Sequence, residues 1–222
     1  MGADRVIFDL SPWLPRPEWD PVAREIDRVA PSLIRDRPER DRSYFSASDQ
    51  TSSHQTIYLR QRHCKAGLLR RRKHLEQIHA DTEALDHFPL VEAYIQQQLR
   101  GRIFAEIGRA FLIVDQPGQD GILHRDHDFD DLAGNFVWLR TSSAKQLIVH
   151  APAAEAARVA THACWFDERR HHQALDSTAA HQRVSLRVDG VFVAPLLEAT
   201  RPYLLRPLRP HTPKRPAGHG AR

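Results

Sequence analysis

The chain is poor in sulfur: its 222 residues include two cysteines, Cys64 and Cys164. Two thiols are too few for a disulfide scaffold or for a structural zinc site built of thiolates. Long apolar runs are missing as well. Nothing approaches the roughly 18 uninterrupted apolar residues of a spanning helix, so no membrane partner is expected. The first residues, Met1-Gly-Ala-Asp-Arg-Val-Ile-Phe, reach charge within four positions and contain no apolar leader core. Position 6 is Val where a myristoylation signal takes Ser or Thr. A cytoplasmic location is the expectation. Acid is absent from residues 201–222, which carry Arg201, Arg206, Arg209, Lys214, Arg215 and Arg222. The formal charge of +4 thus becomes −2 for residues 1–200 once those six cations are set aside. An isoelectric point near 9.4 is therefore mostly a property of a tail. Five prolines there favour an extended, poorly ordered segment, and nucleic acid is not the expected partner.

What is present reads as one domain over residues 1–200 followed by the tail. Val22, Ile26 and Val29 recur at helical spacing in the stretch from Pro17 to Val29. Gln55 to Leu59 is short and rich in β-formers, which predicts a strand. Residues 60–73 hold seven cations and no acid, a pattern of a solvated face or of a charged approach to a site. Helices are predicted from about Gly67 to His79 and from Glu83 to Leu99. After Gly101 the texture changes to short apolar runs broken by turns: 103–114, 121–126, 136–141, 146–150, 157–166 and 182–193. The expectation is an α+β fold, with a helical part over about 1–100 packed outside a β core over about 101–195.

The chemistry concentrates at His124-Arg125-Asp126. On an extended chain, residues i and i+2 face the same way, so an imidazole and a carboxylate project together. They are two-thirds of the 2-His-1-carboxylate triad that holds Fe(II) and leaves positions open. By itself His-x-Asp is weak, since about one occurrence is expected by chance and His79-Ala-Asp81 is another. Downstream, Cys164-Trp-Phe-Asp leads to His171 and His172, either of which could complete the set. Then, in Arg183-Val-Ser-Leu-Arg187, the residues Arg183, Ser185 and Arg187 share one face and Val184, Leu186 and Val188 the other. Two guanidinium groups and a hydroxyl on one face suit a dicarboxylate, although an outward polar face is the simpler reading.

The order of these motifs resembles the Fe(II)/2-oxoglutarate-dependent dioxygenases. Within them it is most similar to the aspartyl/asparaginyl β-hydroxylase-like branch, which includes L-proline hydroxylases. Ile122-Leu-His-Arg-Asp126 and Trp165-Phe-Asp167 carry the likeness, which covers about residues 103–193. It implies a double-stranded β-helix, or jelly-roll and cupin-like, core. Fe(II), 2-oxoglutarate and O2 are the cofactors it implies, with His124, Asp126 and His172 as metal ligands. His172 is preferred because it stands five residues after Asp167; His171 stays open. Arg183 is implied as the 2-oxoglutarate anchor, with Ser185 and Thr141 beside it and Arg187 as the alternative. The family's Arg-x-His pair is replaced here by Val137-Trp138. Trp138, Arg140 and His150 lie on strands that could line a substrate pocket. The implied activity is hydroxylation of a small molecule, a free or carrier-bound amino acid.

Two other readings stay open at this level. One is a non-catalytic jelly-roll protein that binds a metal or ligand, and the other an oxygenase acting on nucleic acid or peptide through the basic segment. A kinase catalytic loop is excluded, because Asp131 stands where Asn is needed and no Gly-rich loop precedes it.

Overall fold

The computed structural model describes residues 5–35, 45–46, 54–62, 78–126, 135–151, 156–175 and 183–204. The helix predicted from Gly67 to His79 lies outside them up to residue 77, and its last residue, His79, opens a strand instead; Cys64, most of the basic segment and the tail beyond Leu204 also lie outside them. Fold and site rest on fourteen regular elements. In chain order these are β1 (Ile7–Asp9), α1 (Arg16–Arg35), β2 (Phe45–Ser46), β3 (His54–Arg62), β4 (His79–Asp81), α2 (Pro89–Tyr94) and β5 (Phe104–Asp115). They continue with β6 (Phe136–Arg140), β7 (Gln146–Val149), β8 (Ala157–Arg158), β9 (Ala163–Phe166), β10 (His172–Leu175), β11 (Arg183–Phe192) and α3 (Ala194–Thr200).

The result is mostly antiparallel sheet with few helices. The larger sheet has eight strands, with the order β1-β9-β6-β11-β5-β3-β2 and β4 beside β3. The smaller one runs β10-β7-β8. At the centre, β11 and β5 pair from Arg183↔Asp115 to Phe192↔Phe104. Every residue of β9 is buried, as are the first four of β6, and both read as continuous apolar runs because both of their faces are covered. On β11 the Val184, Leu186 and Val188 face joins the core that includes Trp19, Val22 and Ile26 of α1. The opposite face, with Arg183, Ser185 and Arg187, is turned toward the interior and not to solvent. Arg183 and Ser185 are 2% and 0% exposed.

Helices depart from the sequence expectation for local reasons. The segment predicted as one helix from Glu83 to Leu99 is a 3-10 turn over Glu83–His87, then α2, then a π turn over Ile95–Leu99. Pro89 at the start of α2 cannot donate a backbone hydrogen bond, and Phe88 before it is non-helical (φ −128°, ψ 61°). The buried Glu25 of α1 caps this start: its two carboxylate oxygens accept from the Leu90 and Val91 amides at 3.1 and 3.0 Å. Strands show one comparable break. The 157–166 run divides into β8 and β9 where the Arg140 guanidinium donates to the carbonyls of Val159 (3.3 Å) and Ala160 (2.5 Å). Residues 121–126 form no full strand. One antiparallel bridge, His124↔His172, and the Gly121 amide on the Ala174 carbonyl (2.8 Å) hold them to the free edge of β10.

Candidate metal centre

A cavity of about 390 Å³ lies between the two sheets. The larger sheet contributes Phe111, Ile113, Phe136, Trp138 and Phe166, and the smaller contributes Leu147, His172 and Ala174. His124 and Asp126 close one side. Ligand atoms of His124, Asp126 and His172 all lie within 4.8 Å of one another, from an exposed, a half-buried and a buried residue respectively.

Backbone contacts decide which atoms these residues offer. His124 Nδ1 sits 2.7 Å from the Ile122 carbonyl and His172 Nδ1 sits 3.0 Å from that of Arg170. A carbonyl only accepts, so each Nδ1 carries the proton and each Nε2 keeps its lone pair for a metal. Asp126 Oδ1 is 3.5 Å from His124 Nε2, while Oδ2 accepts from Arg187 Nη1 at 2.9 Å. One carboxylate oxygen therefore remains for a metal. The donor set of two imidazole nitrogens and one oxygen fits a divalent first-row ion with coordination positions left toward the cavity.

The electrostatics agree with that use. Burial pushes His172 down to about 4, so its ring is neutral at pH 7. His124 is raised by its hydrogen bond to Asp126. Burial works against charge on Asp126, yet His124 and the Arg187 guanidinium together hold its carboxyl well below the usual carboxylate range. A metal here meets an ionised carboxylate and a neutral His172, and at His124 it competes with the proton that Asp126 favours.

The other end of the cavity holds charge that sequence reading missed. Lys145 is 2% exposed, lines the cavity, and places Nζ 2.5 Å from Asp115 Oδ1. Burial and the nearby Arg183 lower its pKa, and Asp115 opposes them. The second Asp115 oxygen, Oδ2, is buried with no hydrogen-bond partner among the described residues, and so is Ser185 Oγ. The Ile113-to-Asp115 end of β5 carried the one available signal, a carboxylate closing an apolar strand. Lys145, in a turn, gave none.

The predicted residues occupy varied places. Arg183 does not line the cavity; it donates to the carbonyls of Leu175 (2.5 Å), Gln116 and Gln119 (both 3.3 Å). Arg187 and Trp138 do line it. Thr141 is buried and donates to the Val184 carbonyl at 3.1 Å. Arg140 is directed at backbone carbonyls, and the His150 amide donates to the carbonyl of the exposed His171. His150 Nε2 is buried without a partner among the described residues, away from the cavity lining.

No family model and no curated protein sequence matches the chain. Several solved structures are similar to it. A Pseudomonas putida prolyl-4-hydroxylase aligns at 16% identity and a TM-score of 0.41, over 77% of this chain and 86% of that one. An oxidoreductase of the 2OG-Fe(II) oxygenase family from Burkholderia pseudomallei aligns at 12% and 0.43, over 77% and 79%. A Trichoplax adhaerens prolyl hydroxylase, solved in complex with a hypoxia inducible factor oxygen degradation domain peptide fragment, aligns at 12% and 0.45, over 81% of each chain. No helix among the described residues is long and apolar enough to cross a membrane.

Proposed function

We propose that the chain is an Fe(II)- and 2-oxoglutarate-dependent dioxygenase that hydroxylates a small molecule of the amino-acid class in the cytoplasm. We read its two sheets as the faces of a double-stranded β-helix, with residues 1–200 as one oxygenase domain. The observation that carries the proposal is the meeting of His124, Asp126 and His172 at the wall of an otherwise largely apolar cavity. When bound, iron would couple O2 reduction and decarboxylation of 2-oxoglutarate, giving succinate and CO2, to conversion of a substrate C–H into C–OH.

The remaining work belongs to the chain. His124 and His172 present neutral Nε2 atoms, and Asp126 adds the charge. We assign the far carboxylate of 2-oxoglutarate to the end of the cavity lined by Lys145, with the charge of Arg183 close behind it. Lys145 Nζ there lies in the cavity wall beside Asp115, and the buried Ser185 hydroxyl has no hydrogen-bond partner among the described residues. Arg187 is a poorer anchor because it already serves three carboxylates. Thr141 is spent on a backbone carbonyl. Phe111, Phe136, Trp138 and Phe166 exclude water from the space between the two ends. A cavity of about 390 Å³ suits a small substrate better than a folded partner.

The test needs no substrate. Anaerobic protein is titrated with Fe(II) and then 2-oxoglutarate, and the weak visible metal-to-ligand charge-transfer band is recorded. The band should be lost in His124→Ala and His172→Ala and weakened in Arg183→Ala and Lys145→Met. Folded protein that gives no band would overturn the oxygenase reading and favour a binding protein with a redox-silent metal.

A further inference from the structure

We propose that Arg187 is a positioning residue for the metal-binding carboxylate: it grips Asp126 Oδ2 and so presents Oδ1 toward His124 and His172. This inference rests on the reading of His124, Asp126 and His172 as the metal site. Each of the three guanidinium nitrogens of Arg187 donates to a different acid. Nη1 meets Asp126 Oδ2 at 2.9 Å, Nη2 meets Glu168 Oε2 at 2.5 Å, and Nε meets Asp189 Oδ1 at 2.8 Å. The plane lies over the Phe136 ring, 4.3 Å from its centroid. Only 12% of the side chain is exposed.

The supports of this guanidinium are themselves held. Asp189 also binds Arg109, with Nη2 at 2.6 Å and Nε at 2.7 Å from Oδ2. Glu168 acts twice, since its backbone carbonyl accepts the Asp126 amide at 3.1 Å while its carboxylate holds Arg187. Asp126 is thus fixed at main chain and side chain by one pair of neighbours. The two histidines are placed differently, by their mutual backbone bridge. Without Arg187, the Asp126 carboxylate keeps, among the described residues, only the contact to His124 and is free to turn both oxygens toward other partners. A planar fork with three divergent donors is needed here, and an ammonium cannot reproduce it.

The experiment uses the full chain and Co(II) as probe, reading both the Kd and the d–d absorption envelope, which reports coordination number. Arg187→Gln should weaken Co(II) by about 10- to 100-fold, the range for losing an outer partner of a ligand, and shift the envelope. Arg187→Lys should recover part of the affinity. Glu168→Gln should act in the same direction but less, and adding it to Arg187→Gln should cost little more, because both act through one contact. Folded Arg187→Gln with wild-type Co(II) affinity and spectrum would overturn the inference. Should that variant fail to fold, unchanged Co(II) binding in Glu168→Gln would overturn it instead. Loss of 2-oxoglutarate binding at saturating, unaltered Co(II) would also overturn it, making Arg187 a co-substrate anchor. Wild-type protein that binds no Co(II), or His172→Ala that binds it equally well, would instead remove the metal site on which the inference rests.

Discussion

His124 and His172 are reciprocal backbone partners: the His172 amide donates to the His124 carbonyl at 2.7 Å, and the His124 amide returns the bond at 3.1 Å. Their rings stand 4.4 Å apart between centroids. A segment that is otherwise loop is thereby locked to the edge of β10 at His124. Placing two candidate ligands across one antiparallel bridge makes their spacing a property of the backbone, which side-chain flexibility alone would not give.

That geometry separates the two adjacent histidines. His172 is 6% exposed and lines the cavity, whereas His171 is exposed, as alternation along β10 requires. His171→Ala should leave Co(II) affinity unchanged, and His172→Ala should abolish measurable binding in calorimetry. Equal losses in the two variants would contradict the assignment.

In the metal-free chain His172 and His124 should make opposite contributions to the pH dependence of stability, His172 on the acid side of pH 6.5 and His124 on the alkaline side. Burial lowers His172 from 6.5 to about 4, so between those values the unfolded chain binds more protons and stability rises with pH. His124 has its pKa raised by Asp126, so its contribution is full below pH 6.5 and is lost as pH climbs through the folded value. Urea midpoints measured in chelator across pH 4–8 should show both limbs. His172→Asn should reduce the acid limb, to which His54 and His162, also lowered by burial, add their own share, and His124→Asn should reduce the alkaline one. A wild-type profile that changes in neither variant would contradict both.

Gly190 marks where β11 shifts register against β5. A Cβ there would meet the Glu106 carbonyl oxygen, and would lie 2.6 Å from Phe104 Cδ1. The obstacle is partly backbone, so it cannot swing aside. Gly190→Ala should cost about 1–3 kcal/mol or more, seen as a lower urea midpoint at unchanged slope. An unchanged midpoint would show that the bulge relaxes freely.

Much of the larger sheet was legible because its strands are apolar runs bounded by turns, as with Phe136–Arg140 and Arg183–Phe192. The i, i+2 rule also placed Arg183, Ser185 and Arg187 on one face. It could not say that a second sheet covers that face, since solvent and a cavity demand the same alternation. β1 escaped notice because three residues carry too little pattern, and its place is set by pairing with Phe166, Trp165 and Cys164. Lys145 escaped because a lysine in Ser142-Ser-Ala-Lys145 reads as a solvated turn. Only the tertiary meeting with Asp115 buries it.

The Lys145–Asp115 pair allows stability and function to be pulled apart. Lys145→Met strips a buried carboxylate of its countercharge, which costs about 3–5 kcal/mol in comparable cases. Replacing both partners, as in Lys145→Met with Asp115→Leu, removes the stranded charge and should restore most of the urea midpoint, because apolar substitutes for a buried pair are often neutral or better. If the pair served packing alone, the double variant would be a normal protein. If Lys145 instead anchors the far carboxylate of 2-oxoglutarate, the double variant should fold well, bind Co(II) as the wild type does, and fail to bind 2-oxoglutarate. Calorimetric titration of 2-oxoglutarate into the Co(II)-loaded double variant decides between them, and wild-type affinity there would return the anchor to Arg183 alone.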